Sequence, residues 1–296
     1  MLFFFLYDII SMVIVMKFTK MHGLGNDYIY INEDVEGNID YSNLAILLSK
    51  RHFAVGADGI ITISKSDKAD FFMQIYNADG SKGEMCGNGI RCVGKYVYDK
   101  HLTDKTHLTI DTLAGIKILD LNVENGKVSS VKVDMGEPLY HDGRVLQRNT
   151  QINELSHIIN IFGVDYEVMD VSMGNPHTVL FVPGINDDLV LNVGREIEKH
   201  PFYPNRTNVE FVKKIDNKTL QMRVYERGSG ETYACGTGSC ASVVAYLLKN
   251  NIDDEVTVKL LGGDLKISWD KNNNHVYMDG PATKVYEGEI DIEDLL

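Results

Sequence analysis

The sequence predicts an α+β fold of two pseudo-symmetric domains, each a curved, mostly antiparallel sheet wrapped around a central helix, facing each other across a cleft. Three observations carry that expectation. A long segment recurs in the second half of the chain, period-two stretches dominate both halves, and an apolar stretch of helical length follows each of two Cys-Gly-x-Gly turns.

The repeat sets the order of elements. NADGSKGEMCGNGIRCVGKYVYDK begins at Asn77, and ERGSGETYACGTGSCASVVAYLLKN begins at Glu226. In each, a polar residue stands nine positions before a cysteine that opens Cys-Gly-x-Gly. A strand pair with a glycine turn follows, LTIDTLAGIKILDL in one copy and VTVKLLGGDLKISW in the other, and each unit closes on a third strand, VKVDMG or VYMDG. Upstream, MHGLGNDYIYI at Met21 is echoed by MGNPHTVLFV at Met173. Period-two patterning predicts strands at 71–76, 107–112, 128–133, 208–212 and 220–225. A helix should start just after each Cys-Gly-x-Gly. The second, SCASVVAYLLK, is apolar nearly all round and should be buried. A further amphipathic helix is expected around 192–200. The first domain is expected to span 16–133, completed by 281–296, and the second 134–280.

Composition excludes several classes. With 42 acidic and 29 basic residues the net charge is -13, and no Lys/Arg cluster reverses it, so a nucleic-acid partner is not expected. A hydrophobic content of 44% supports a real core. Four cysteines, Cys86, Cys92, Cys235 and Cys240, fit a reducing cytoplasm, and their spacing is not that of a structural zinc site. Cys92 and Cys240 fall inside the helices and read as core residues. The leading MLFFFLYDIISMVIV is apolar but interrupted by Asp8 and shorter than the ~20 residues of a membrane span. Met16 opens MKFTKMHGLGNDY like a natural start, so 1–15 reads as a start taken too early or as a weakly membrane-associating tail. No membrane span is expected, and the assembly is open between monomer and homodimer.

The two turns suggest a chemistry. Abstracting the α-proton of an amino acid requires a pyridoxal cofactor on a lysine, or a base on one face with an acid on the other. No lysine has the first setting. A cysteine at a helix N-terminus has its thiolate favoured by the macrodipole, and the free N–H groups of the first turn bind an anion. Two such turns would clamp one α-carboxylate between Gly87 and Asn88 on one side and Gly236 and Thr237 on the other. The two sulfurs would flank the α-carbon, one taking a proton and the other giving one. His177 and Glu226 are candidates for tuning them. One such turn alone is a weak signal, because a cysteine there is often a small buried hydrophobe. Two in equivalent places of a repeat are harder to dismiss. A redox pair of Cys86 and Cys235, and a non-catalytic anion-binding module, are the readings from other classes.

NADGSKGEMCGNGIRC and ERGSGETYACGTGSC resemble the two signature segments of the diaminopimelate epimerase family. MHGLGNDY, VGADGI, SMGNPH and RTNVEF resemble its lesser motifs in the same order, from about Met16 to the C-terminus. The resemblance implies interconversion of LL- and meso-2,6-diaminopimelate, in lysine and peptidoglycan precursor synthesis, without cofactor or metal. By motif position Cys86 and Cys235 would be the acid–base pair, with His177 and Glu226 adjusting them. Asn26, Asn77, Asn175, Asn208 and Arg227 would bind substrate, with backbone groups of Gly87, Asn88, Gly236 and Thr237. Arg227 suits the distal carboxylate, although each asparagine has the commoner alternative of a turn or cap. At Gly59, where some members carry a polar side chain, this chain has glycine. A racemase for another amino acid, such as histidine or proline, is the nearest rival.

Overall fold

The computed structural model describes residues 15–37, 39–252 and 255–292, so the expectation for the leading tail lies outside the described residues, save its last position. The first half contains β1 (Val15–Gly23), β2 (Asn26–Asn32), α1 (Glu33–Glu36), α2 (Tyr41–Leu48), β3 (Gly59–Ser64), β4 (Phe71–Asn77), β5 (Lys82–Gly83), α3 (Gly87–Asp99), β6 (His107–Asp111), β7 (Lys117–Glu124) and β8 (Lys127–Gly136). The second contains β9 (Ser156–Ile161), β10 (Val164–Ser172), β11 (Pro176–Phe181), α4 (Gly194–Glu198), β12 (Asn208–Asp216), β13 (Thr219–Glu226), β14 (Gly230–Thr232), α5 (Gly236–Asn250), β15 (Val256–Leu260), β16 (Gly263–Trp269) and β17 (Val276–Gly280). The chain ends on β18 (Thr283–Asp291).

Strand pairing repeats as the sequence does. In the first half β2 runs parallel to β3, β3 antiparallel to β4, β4 parallel to β6, and β6, β7 and β8 pair antiparallel in turn. In the second, β11–β12, β12–β13, β13–β15, β15–β16 and β16–β17 follow the same sequence of directions. The hairpins β1–β2 and β10–β11 are equivalent, as are the outer partners β18 on β1 and β9 on β10. An antiparallel seam between β8 and β17 joins the halves. The fold is therefore α+β and pseudo-symmetric.

Helices α3 and α5 are the centres of the two halves. Residues Gly236–Leu247 of α5 are nearly all buried, as its apolar composition predicts. It ends on Asn251 in the left-handed conformation, a fitting C-terminal stop. On α3 the absence of a side chain at Gly94 lets Leu119 and Leu121 of β7 close to about 3 Å of where a Cβ would stand. Cys92 and Cys240 are fully buried in the core that both halves share, with Val93, Val131, Val243 and Leu265. The helix expected around 192–200 starts earlier, as wide turns over Leu189–Val193 that run into α4. Asn186 initiates it by accepting the Leu189 N–H at 2.8 Å. Among the described residues no helix is long and apolar enough to cross a membrane.

The halves also interlock at a hairpin tip. Leu24, in the turn between β1 and β2, is buried and takes a left-handed backbone with φ 57. Its carbonyl oxygen lies 1.9 Å from where a Cβ on Gly262 would be, in the turn between β15 and β16. Only glycine permits that approach. Replacing Gly262 by Ala is expected to destabilise the protein by about 1–3 kcal/mol in urea unfolding. Gly184→Ala, where a Cβ meets nothing within 4 Å, is the control expected to stay near wild type.

Candidate active site

Both predicted cysteines are the N-cap residues of their helices. Cys86 precedes α3 with extended backbone and its sulfur accepts the Gly89 N–H at 3.3 Å; Cys235 precedes α5 and accepts the Gly238 N–H, also at 3.3 Å. The first intrahelical bonds start at Ile90 and Ser239, so the N–H groups of Gly87, Asn88, Gly236 and Thr237 lie ahead of the ladder. The helix starts abut. Asn88 Nδ2 donates to the Ala234 carbonyl at 3.0 Å, and the Met278 thioether fills the gap, close to where Cβ atoms on Gly87 and Gly236 would be. A side chain at either glycine would have to displace the Met278 thioether.

The direct hydrogen-bond partners of Cys86 are neutral. Its thiol donates to Asn26 Oδ1 at 3.1 Å, and Asn26 Nδ2 donates to Asp58 Oδ2 at 2.8 Å. Asp58 is held in turn by the Asp27 N–H and by Arg51, which pairs with Asp27 as well; Lys20 completes the cluster on Asp27. Arg91, one turn into α3, is fully buried and donates to the carbonyls of Gly87 and Pro281. Burial pushes the Cys86 thiol up; the N–H groups of Gly89 and Asn88 and the Arg91 charge oppose it, and the Glu226 carboxylate adds to it.

Around Cys235 the neighbours are titratable. His177 is fully buried, its Nδ1 2.7 Å from Glu210 Oε1 and its Nε2 3.0 Å from Asn175 Oδ1. Glu226 accepts from the Thr232 hydroxyl at 2.6 Å, and Thr237 Oγ1 lies 3.5 Å from the sulfur. The Cys235 thiol is pushed well up, first by burial and then by the Glu226 and Glu210 carboxylates, with the Thr237 hydroxyl and the Gly238 N–H opposing. Burial pushes the Glu226 carboxyl up as well, against Thr232 and His177, with Glu210 adding. His177, Glu210 and Cys235 each offer a ligand atom within 4.8 Å of the others, so a thiophilic cation has a set of donors here. To ligate one, His177 would have to surrender one of its two hydrogen bonds.

The other candidate residues are at or near the same place. Asn208 Nδ2 donates to the Pro176 carbonyl and its Oδ1 accepts the Arg227 N–H, so this asparagine shapes the Arg227 backbone. The Arg227 guanidinium is exposed and donates to the Asn205 carbonyl at 3.4 Å; no carboxylate among the described residues pairs with it. Asn77 is tied to Ser81 in a turn. At Gly59 a Cβ would fall 2.2 Å from the Tyr76 carbonyl oxygen, so no side chain fits there and the glycine is a packing requirement. Sequence reasoning gave no role to Asp58, Arg91 or Glu210. Asp58 sits in VGADGI and Glu210 in RTNVEF; an acid in the middle of the buried run Val209–Val212 is the signal that marks the second.

Similarity to known proteins agrees with this geometry. Residues 18–140 and 169–285 match the family model for diaminopimelate epimerase. The chain is 51% identical over 280 residues to the diaminopimelate epimerase of Acetivibrio thermocellus, covering 95% of this chain and all of that one. It is 50% identical over 277 residues to that of Methanococcus maripaludis, again with the relative's whole length covered and 94% of this chain. Among solved structures, a hydroxyproline epimerase from Agrobacterium vitis superposes with a TM-score of 0.67 at 14% identity, over 95% of this chain and 93% of that one. A PhzF-family phenazine biosynthesis protein from Bacillus anthracis gives 0.66 at 18%, over 93% and 99%. These two likenesses concern the fold alone, whereas the family match and the near-complete relatives concern the chain itself, which belongs to the diaminopimelate epimerase family.

Proposed function

We propose that this chain interconverts LL- and meso-2,6-diaminopimelate by two-thiol proton transfer at the α-carbon, in the reducing cytoplasm and without a cofactor. The observation that carries it is the pair of abutting helix N-termini, each capped by a cysteine. An α-carboxylate seated between them meets N–H groups of Gly87, Asn88, Gly236 and Thr237, which also stabilise the charge that develops as the proton leaves. One sulfur removes the proton and the other returns one on the opposite face. Cys235 is faced by two carboxylates and is the thiol that holds its proton. Cys86 is opposed by N–H groups and Arg91 and is the one that ionises first. For the reverse substrate hand the roles exchange. Arg227, with no carboxylate partner among the described residues, is the grip for the distal carboxylate, and Asn26, bonded to the Cys86 thiol, and Asn175, bonded to His177, bind the substrate from the two sides. Asn77 contributes through the turn it shares with Ser81.

The rival is a racemase of another amino acid on the same fold, and Arg227 separates the two. Arg227→Ala is expected to cut kcat/KM for diaminopimelate roughly 10–100-fold, the worth of a charged hydrogen-bonded pair. A racemase of histidine or proline, whose substrates lack a second carboxylate, would lose little.

Incubation with LL-diaminopimelate in D2O under reductant should place deuterium at the α-carbon as meso product forms. Cys86→Ala and Cys235→Ala should each lower epimerisation by about 100-fold or more. Wild-type epimerisation in either variant would overturn the two-thiol reading. The rate should rise with pH as Cys86 ionises and fall again once Cys235 loses its proton, so kcat/KM against pH should be a bell on the alkaline side of neutrality, where both thiols are pushed.

A further inference from the structure

The pseudo-symmetry allows each residue near one sulfur to be matched with its counterpart near the other. Tyr28 pairs with Gly59 across β2 and β3, and His177 pairs with Asn208 across β11 and β12. Counting along the strands, Ile61 is then the counterpart of Glu210. The glycines confirm it. A Cβ on Gly89 would fall 2.7 Å from Ile61 Cδ1, and one on Gly238 would fall 2.5 Å from Glu210 Oε1. The same space beneath each helix start is filled by a hydrocarbon in one half and by a carboxylate in the other. Asn77 and Glu226, at the ends of β4 and β13, differ in the same sense.

Glu210 is fully buried, and its Oε2 has no hydrogen-bond partner among the described residues. A bare carboxylate oxygen in a core is costly, and Ile61 demonstrates that the fold fills this place with an aliphatic side chain. Stability therefore does not account for Glu210. Its paired oxygen holds His177 Nδ1 at 2.7 Å, which fixes the ring, and leaves Nε2 toward Asn175.

We propose that Glu210 is a positioning residue for the reaction: acting through His177, it holds the Cys235 side of the site in the form that delivers and retrieves a proton, while the Cys86 side has no such carboxylate beneath its helix. The inference rests on the two-thiol reading above. It makes the repeat chemically unequal, with Asp58 steadying Cys86 through Asn26 and Glu210 steadying Cys235 through His177.

The test is Glu210→Gln, which keeps an oxygen for His177 and removes the charge. Two readouts are needed: steady-state kinetics in both directions, and the pH dependence of iodoacetamide alkylation at Cys86 and Cys235, resolved by mass spectrometry. The titratable groups facing Cys235 are Glu226 of β13, Glu210 of β12 and His177 of β11. Removing one carboxylate should move the Cys235 alkylation midpoint to lower pH and leave that of Cys86 in place. The kcat should fall about 10–100-fold with KM within about twofold, the loss typical for a carboxylate that orients a metal-bound histidine, applied here to a histidine oriented toward a thiol. A wild-type kcat with an unmoved Cys235 profile would overturn the proposal, and so would equal shifts at both cysteines, which would mark a general structural effect. If the glutamine variant does not fold, Glu210→Asp serves: the charge stays, the reach shortens, and kcat should fall while the Cys235 midpoint holds; an unchanged kcat would overturn the proposal. Failure of the underlying reading shows separately, as epimerisation surviving in Cys235→Ala.

Discussion

Everything in this molecule is arranged around the contact between two helix starts. An isolated helix N-terminus carries unpaired N–H groups and a positive end, and two of them brought together repel unless something negative lies between. Here the approach is close enough for the Asn88 side chain to reach the Ala234 carbonyl, and it is allowed because Gly87 and Gly236 present no side chain to Met278. The two helix starts thus present their free N–H groups to one place, the arrangement the proposed carboxylate site relies on. The two repeated strand sets, joined at the β8–β17 seam, and the Leu24–Gly262 interlock hold those two ends in register.

The same geometry explains why cysteine caps these helices where serine or aspartate would cap more strongly. Each sulfur accepts the N–H of the third residue on, as a capping oxygen would, and remains a titratable group at the helix start. Burial works against ionisation at both sulfurs. N–H groups favour both thiolates and Glu226 opposes both; what differs is the Arg91 charge on the Cys86 side and the second carboxylate, Glu210, on the Cys235 side. Two equivalent positions of a pseudo-symmetric fold thus hold thiols in unequal surroundings.

Much of this was legible in the sequence because the repeat made weak signals count twice. A lone Cys-Gly-x-Gly says little, whereas two, each followed by an apolar helix and a glycine-turned strand pair, predicted the helix starts and the buried character of α5; which of His177 and Glu226 stands by which cysteine, and the bond from Cys86 to Asn26, came only from the packing of the strands. What was not legible depended on packing across strands. Glu210 and Ile61 share a strand position that no local pattern compares, and Arg91 reads on paper as a polar residue of an amphipathic helix although it is fully buried. The wide turns at Leu189–Val193 were missed because their start is set by the Asn186 side chain and not by apolar spacing.

The central claim is that one substrate sits between both sulfurs at once. The most direct measurement is protection: alkylation rates of Cys86 and Cys235, followed site by site, as diaminopimelate is added to the reduced protein. The account gives protection of both cysteines along one binding curve with a single midpoint. Protection of one cysteine alone, or two curves with separate midpoints, would contradict it.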